Sequence, residues 1–187
     1  MELFFSHIMK LIKHPDICDG NLHPVSSQID LSNYCNLACA FCTHAEDHKK
    51  KAFIDISLLD KILDKLYNLG CKGIEYTGGG EPLTHPNFIE IINKTNERFD
   101  VGLVTNGTLI KKLNTDIWKK FDWIRVSVNA GPLNYKKYHG KDKFKNVLEG
   151  LEVLDKYAPF YGISYIYSGQ DPSDISQLTS ELKKLKN

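Results

Sequence analysis

At 187 residues with 42% apolar side chains, the chain has enough material for one domain with a real core. Its 24 basic and 23 acidic residues leave a net charge of +1, so no global field points to nucleic acid or an anionic membrane surface. No apolar run approaches the ~20 residues of a membrane span.

Residues 1–23 read as an N-terminal extension ahead of a core domain at 24–187. The first ten residues have an apolar flavour but lack the basic start and small-residue cleavage site of a signal peptide. Residues 25–31 predict a strand that runs straight into a loop carrying Cys35, Cys39 and Cys42. Ser57 then caps a helix, with Asp60 three residues on as an imperfect capping box. Leu58, Leu59, Ile62, Leu63, Leu66 and Tyr67 make its apolar stripe, and Gly70 ends it. Residues 73–77 predict a second strand, followed by Gly78, Gly79, Gly80, Glu81 and Pro82. Pro86 near a helix start leads into Phe88, Ile89, Ile91 and Ile92. A third strand at 101–105 ends in Asn106 and Gly107, and a short helix around 114–120 precedes a fourth strand at 123–128. A helix at about 144–157 turns Val147, Leu148, Leu151 and Leu154 inward. A fifth strand at 160–167 and a final helix striped by Ile175, Leu178, Leu182 and Leu185 complete the pattern.

Five strand-then-helix units imply an α/β fold with a parallel sheet and outer helices, either a barrel or an open wound sheet. The unusual residues all follow strands: the cysteines after the first, the glycines after the second, Thr105-Asn106-Gly107 after the third, and Ser127 to Gly131 at the end of the fourth. In such folds the C-terminal strand ends form the active face, so these segments are expected at one mouth. The lysine clusters at 49–51, 136–137, 141–145 and 183–186 read as solvated faces.

Five cysteines, three of them within eight residues, do not make a secreted disulfide framework, and a reducing cytoplasm is the expected setting. The C-x3-C-x2-C spacing has three readings: a structural zinc site with His44 as fourth ligand, unrelated buried thiols, or an iron–sulfur cluster held at three corners. Structural zinc usually draws on two separated knuckles, and none follows here. Cys18 and Cys71 are isolated and read as structural thiols. Tyr34, His44, His85 and His139 are polar enough to line a pocket, but none has a partner visible in the sequence.

Cys35, Cys39, Phe41 and Cys42, together with Gly79-Gly80-Glu81, resemble the signature segments of the radical S-adenosylmethionine (radical SAM) enzymes. Thr105-Asn106-Gly107 and Ser127 to Gly131 are similar to further elements of that family, and the likeness covers about residues 24–168. The resemblance implies a partial parallel (β/α) TIM-like barrel, with five of the family's usual six units visible. It implies a [4Fe-4S] cluster on Cys35, Cys39 and Cys42, with S-adenosyl-L-methionine chelating the open iron. Reductive cleavage would give methionine and a 5′-deoxyadenosyl radical that abstracts hydrogen from a substrate. It also implies cofactor contacts from Phe41, Gly79, Gly80, Glu81, Ser127 and Asn129. Glycine at 78–80 lets backbone approach the cofactor, while Glu81 serves equally well to orient the loop. Many relatives carry Asp where Asn129 sits; an amide still hydrogen-bonds but adds no charge.

The chain stops after the fifth helix, which reads as truncation or as an abridged barrel like those of glycyl-radical activating enzymes and the deazaguanine-forming synthase. The lateral opening of an incomplete barrel would suit a peptide or protein substrate, with small-molecule chemistry also open. With no second redox motif, an external flavodoxin- or ferredoxin-like electron donor is expected. The rival expectations are a zinc-stabilised, non-catalytic binding module and a truncated, inactive relative.

Overall fold

The computed structural model of the protein describes residues 13–14, 24–49 and 51–185. Nearly all of the N-terminal extension, with Cys18 and the segment read against a signal peptide, lies outside the described residues, as do Lys50 and Lys186 of the lysine clusters. Five strands form one parallel sheet: β1 (Ser26–Asp30), β2 (Gly73–Thr77), β3 (Asp100–Thr105), β4 (Trp123–Ser127) and β5 (Tyr161–Ser164). Their spatial order is their chain order, β1-β2-β3-β4-β5. The helices are α1 (Ile56–Asn68), α2 (Phe88–Asn96), α3 (Tyr135–His139), α4 (Phe144–Tyr157) and α5 (Pro172–Leu182). This is the expected partial barrel, with β1 and β5 outermost among the described residues. No helix among the described residues is long and apolar enough to cross a membrane.

Alternation along each strand sorts the side chains onto two faces. Ile74, Tyr76, Val101, Leu103, Ile124 and Val126 share the convex face, occupy matched register positions and are fully buried in the core with residues of the helices. Trp118, Phe121 and Phe88 stack in series there. Each such aromatic removes roughly 150–250 Å² from water, about 4–6 kcal/mol gross at ~25 cal/mol/Å². With that much burial on the helix side, the concave face is free to be polar. It carries Gln28, which donates to Glu75 across β1 and β2 (2.9 Å), and Ser164, which donates to Ser127 across β5 and β4 (3.4 Å). The Trp123 ring lies over Gly102 on the same face.

Several boundaries differ from expectation. The cap of α1 is Asp55, not Ser57: its extended backbone aims the carboxylate at the Ser57 and Leu58 N–H groups (2.9 and 3.1 Å), and Ile56 is already helical. Leu58 and Tyr67 flank the buried stripe and are half exposed (52% each), while Leu59 and Leu63 carry the contact. Ile89 likewise faces outward. The segment Thr115–Lys120 is a 3₁₀ helix, capped by Asn114, which accepts from the Asp116 N–H. The fifth strand ends at Ser164 rather than 167, leaving Ile166 and Tyr167 exposed beyond it. The one-turn helix α3 was not expected.

Candidate functional site

Parallel pairing delivers the loops after β1, β2 and β3 to one end of the sheet, and polar contacts lace them together. The β2 loop reaches the β1 loop through the Glu81 N–H, which donates to the Tyr34 carbonyl (2.9 Å). Gly80 makes this possible, since a Cβ there would overlap the Ser32 and Tyr34 carbonyl oxygens. Gly79 donates its N–H to Asp30 Oδ2 at the end of β1 (3.1 Å), and its carbonyl lies beside His48 Nε2.

Glu81 is buried, and its carboxylate is committed to the scaffold. Oε1 accepts from Thr105 Oγ1 (2.6 Å) and the Leu83 N–H (3.1 Å), while Oε2 accepts from the Asn106 N–H (2.7 Å). Burial pushes its pKa above the usual carboxylate range, against the pull of these donors. Asn106 continues the chain of contacts, donating to Asn36 Oδ1 (2.9 Å) and toward Cys35 Sγ (3.7 Å). Asn36 in turn donates to Thr108 Oγ1 (2.7 Å). The cysteine loop is thus clasped to the turn after β3.

Cys35, Cys39 and Cys42 are all half-buried. Burial raises the Cys35 thiol despite the Leu37 N–H and the Asn106 amide on its sulfur. Burial first, and the neighbouring Cys35 and Cys42 second, push Cys39 up to about 12. Burial thus holds the Cys35 and Cys39 thiols in their neutral form at pH 7. Among the described residues, no three His, Cys, Asp or Glu side chains converge on one ion-sized point. His44, the fourth ligand of the zinc alternative, is exposed and faces Asp47 Oδ2 (3.3 Å). Three soft thiol donors on one loop are the donor type that suits an iron–sulfur cluster.

Phe41 is half-buried and meets the His139 ring edge-on (centroids 5.7 Å apart). Ser127 sits at the end of β4 on the concave face beside Ser164. Asn129 is buried; its Oδ1 accepts from the Ile166 N–H (2.9 Å) and its carbonyl accepts from Gln170 Nε2 (3.1 Å), tying the β4 and β5 loops. Cys71 lies at the opposite, N-terminal end of β2, buried and donating toward the Gly73 carbonyl (3.4 Å).

Sequence reasoning passed over Asp30, Asn36 and His48, and it named His139 only as a residue polar enough to line a pocket, with no partner. Asp30 had a signal, a carboxylate at a strand's C-terminal end; the partner of His139 had none. Helix α3 places His139 Nδ1 3.2 Å from Cys39 Sγ. Burial pushes the His139 pKa down to about 4, so the ring is neutral at pH 7.

A family model described as the radical SAM superfamily matches residues 29–182. The subtilosin biosynthesis protein AlbA of Bacillus subtilis is 25% identical over 168 residues, covering 87% of this chain and 37% of AlbA. A GTP 3′,8-cyclase of Desulforamulus reducens is 29% identical over 134 residues, covering 67% of this chain and 41% of the cyclase. Streptococcus suis SuiB bound to its precursor peptide SuiA superposes with a TM-score of 0.75 at 20% identity, over 97% of this chain and 40% of SuiB. SuiB bound to S-adenosylmethionine matches with a TM-score of 0.70. The chain therefore spans about two fifths of the length of these relatives.

Proposed function

The chain belongs to the radical SAM superfamily, and from that membership we propose that Cys35, Cys39 and Cys42 hold a [4Fe-4S] cluster against which S-adenosylmethionine binds, for hydrogen abstraction from a peptide or protein. The observation that carries this reading is the cysteine loop itself. It carries three half-buried thiols within eight residues, and it is clasped by polar contacts to the loops after β2 and β3. When bound, cluster and S-adenosylmethionine supply a 5′-deoxyadenosyl radical by one-electron cleavage of the sulfonium.

The chain's own residues bind and orient. Gly79 and Gly80 bring backbone to the cofactor's methionyl end, and Glu81 acts on the scaffold, holding that loop against β3. In this reading Ser127, at the end of β4 beside Ser164, hydrogen-bonds ribose or carboxylate oxygens. Asn129 sets the course of the β5 loop through Ile166, and Phe41 offers an aromatic surface to the adenine. The electron comes from an external flavodoxin- or ferredoxin-like donor. Among the described residues the one further thiol is Cys71, at the far end of the sheet.

A peptide substrate is favoured by the comparisons: similarity extends to AlbA, a bacteriocin biosynthesis protein, and to SuiB, whose structure holds a precursor peptide. Anaerobic reconstitution tests the metal assignment. About four irons per chain are expected, none in Cys39→Ala, and an undiminished cluster in Cys71→Ala. One equivalent of zinc and no cluster would overturn it. Incubation with deuterated candidate peptides tests the substrate class, through deuterium recovered in 5′-deoxyadenosine.

A further inference from the structure

We propose that His139 is a positioning residue that donates an Nδ1–H hydrogen bond to the Cys39 sulfur and thereby raises the reduction potential of the cluster. The inference rests on the cluster reading above but adds a residue that neither the cysteine motif nor the glycine motif contains. Cys39 Sγ and His139 Nδ1 are 3.2 Å apart, across 100 positions of sequence.

Four contacts make this approach a built one. The Ala38 N–H donates to the His139 carbonyl (3.1 Å), and the Ala40 N–H donates to the Tyr138 carbonyl (2.9 Å). These bonds bracket Cys39, so its backbone is fixed to α3 however the sulfur turns. Gly140, with φ +71°, lets the end of α3 lie against Ala38, where a Cβ would overlap the carbonyl oxygen. Lys141 Nζ adds a bond to the Asn36 carbonyl (2.8 Å).

The imidazole itself is held on two sides. Tyr135 stacks on its face at 4.1 Å with a 22° tilt, and Phe41 meets it edge-on. Nε2 is buried without a hydrogen-bond partner. A histidine kept only for packing gains nothing from a polar atom orphaned in this way. The cost becomes intelligible if the other nitrogen has a task. A ligating thiolate has no proton to give, so the hydrogen between the two atoms must sit on Nδ1, which fixes the tautomer. Reduction adds negative charge to the cluster and its sulfurs, and a donor aimed at one of them stabilises that state more than the oxidised one. The effect is a higher potential, within easier reach of a biological electron donor.

The test is an EPR-monitored redox titration of the reconstituted protein beside His139→Phe, which keeps the ring and loses the donor, and His139→Asn, whose amide nitrogen falls near Nδ1. His139→Phe should shift the reduced-to-oxidised ratio at fixed potential about tenfold toward oxidised, about 59 mV for a one-electron couple. His139→Asn should restore most of it. A measurement on the unaltered sequence stands independently of how the variants fold. With isotope-labelled histidine, pulsed EPR of the reduced cluster should show a nitrogen coupling that is lost in His139→Asn and kept in His48→Gln. An unchanged potential in loaded His139→Phe, or no nitrogen coupling in the unaltered protein, overturns the proposal while leaving the cluster in place. Failure of the unaltered protein to assemble a cluster overturns the underlying reading, and this proposal with it.

Discussion

At the scale of single residues, the site is governed by where buried oxygens and sulfurs find donors. Glu81 shows how the balance is struck. Its three donors favour the carboxylate, and burial opposes it and prevails, so its pKa in the folded protein lies above the unfolded value. With that sign, the folded state binds the proton more tightly. Glu81 then contributes most below the ordinary carboxylate range and loses that contribution as pH rises through the folded value. Glu81→Gln removes this pH dependence and turns an NH₂ toward at least one backbone N–H. The cost is about 1–3 kcal/mol, or roughly 2–10 °C in Tm. Differential scanning calorimetry from pH 7 down to about pH 4.5 should show the gap between wild type and variant widening as pH falls. Glu81 could be picked out in the sequence as part of the Gly-Gly-Glu segment, but its partners Thr105 and Asn106 lie more than twenty positions away. The partner of His139 was illegible for a stronger reason: nothing near that histidine in the chain hints at the thiol it faces.

At the scale of elements, the strands were legible because short apolar or β-branched runs break off into Gly, Asn and Cys. The 73–77 segment is the strand β2 to the residue. Helix caps were harder, since Asp55 and Ser57 are both good N-cap residues and only the backbone direction at Asp55 decides between them. Helix α3 is a single turn with no repeating stripe; its anchor, Tyr135, is buried by packing against Phe144 and His139. The exposed Asp55 carboxylate is held below its usual range by the bond from the Ser57 hydroxyl and by backbone N–H groups. Here the sign is opposite to that of Glu81: the contribution is present at neutral pH and lost as pH falls through the folded value. Asp55→Ala should lower Tm by roughly 2–4 °C at pH 7, with the deficit shrinking below about pH 4. Asp55→Asn should keep most of the stability throughout, and circular-dichroism melts at the two pH values would show it.

At the scale of the molecule, the sheet among the described residues is a chain of nearest-neighbour pairings, and side-chain contacts also tie its fifth unit to the others. Asp174 of α5 supplies one. Buried, it accepts from the N–H groups of Gly131 (2.7 Å), Leu133 (2.8 Å) and Asn134 (3.1 Å) in the loop that leads into α3. Through that loop the fifth unit steadies the helix that carries His139. Asp174→Asn turns an amide donor onto these N–H groups and should cost about 1–3 kcal/mol. Hydrogen exchange should quicken around 129–140 and in α5 while β1 to β3 stay protected. The parallel α/β sheet, the convergence of loops and the cysteine triplet could be read from local pattern, while the partial barrel was implied by the family resemblance. The contacts that give the site its rigidity could not, because they join positions 24 to 100 apart. The central claim is that Cys35, Cys39 and Cys42 hold a cluster that cleaves S-adenosylmethionine, and quantifying 5′-deoxyadenosine after dithionite reduction of the reconstituted protein tests it most directly. Release of 5′-deoxyadenosine and methionine in equal amounts, absent in Cys39→Ala, is the predicted result; a fully loaded four-iron protein that reduces yet releases neither would contradict it.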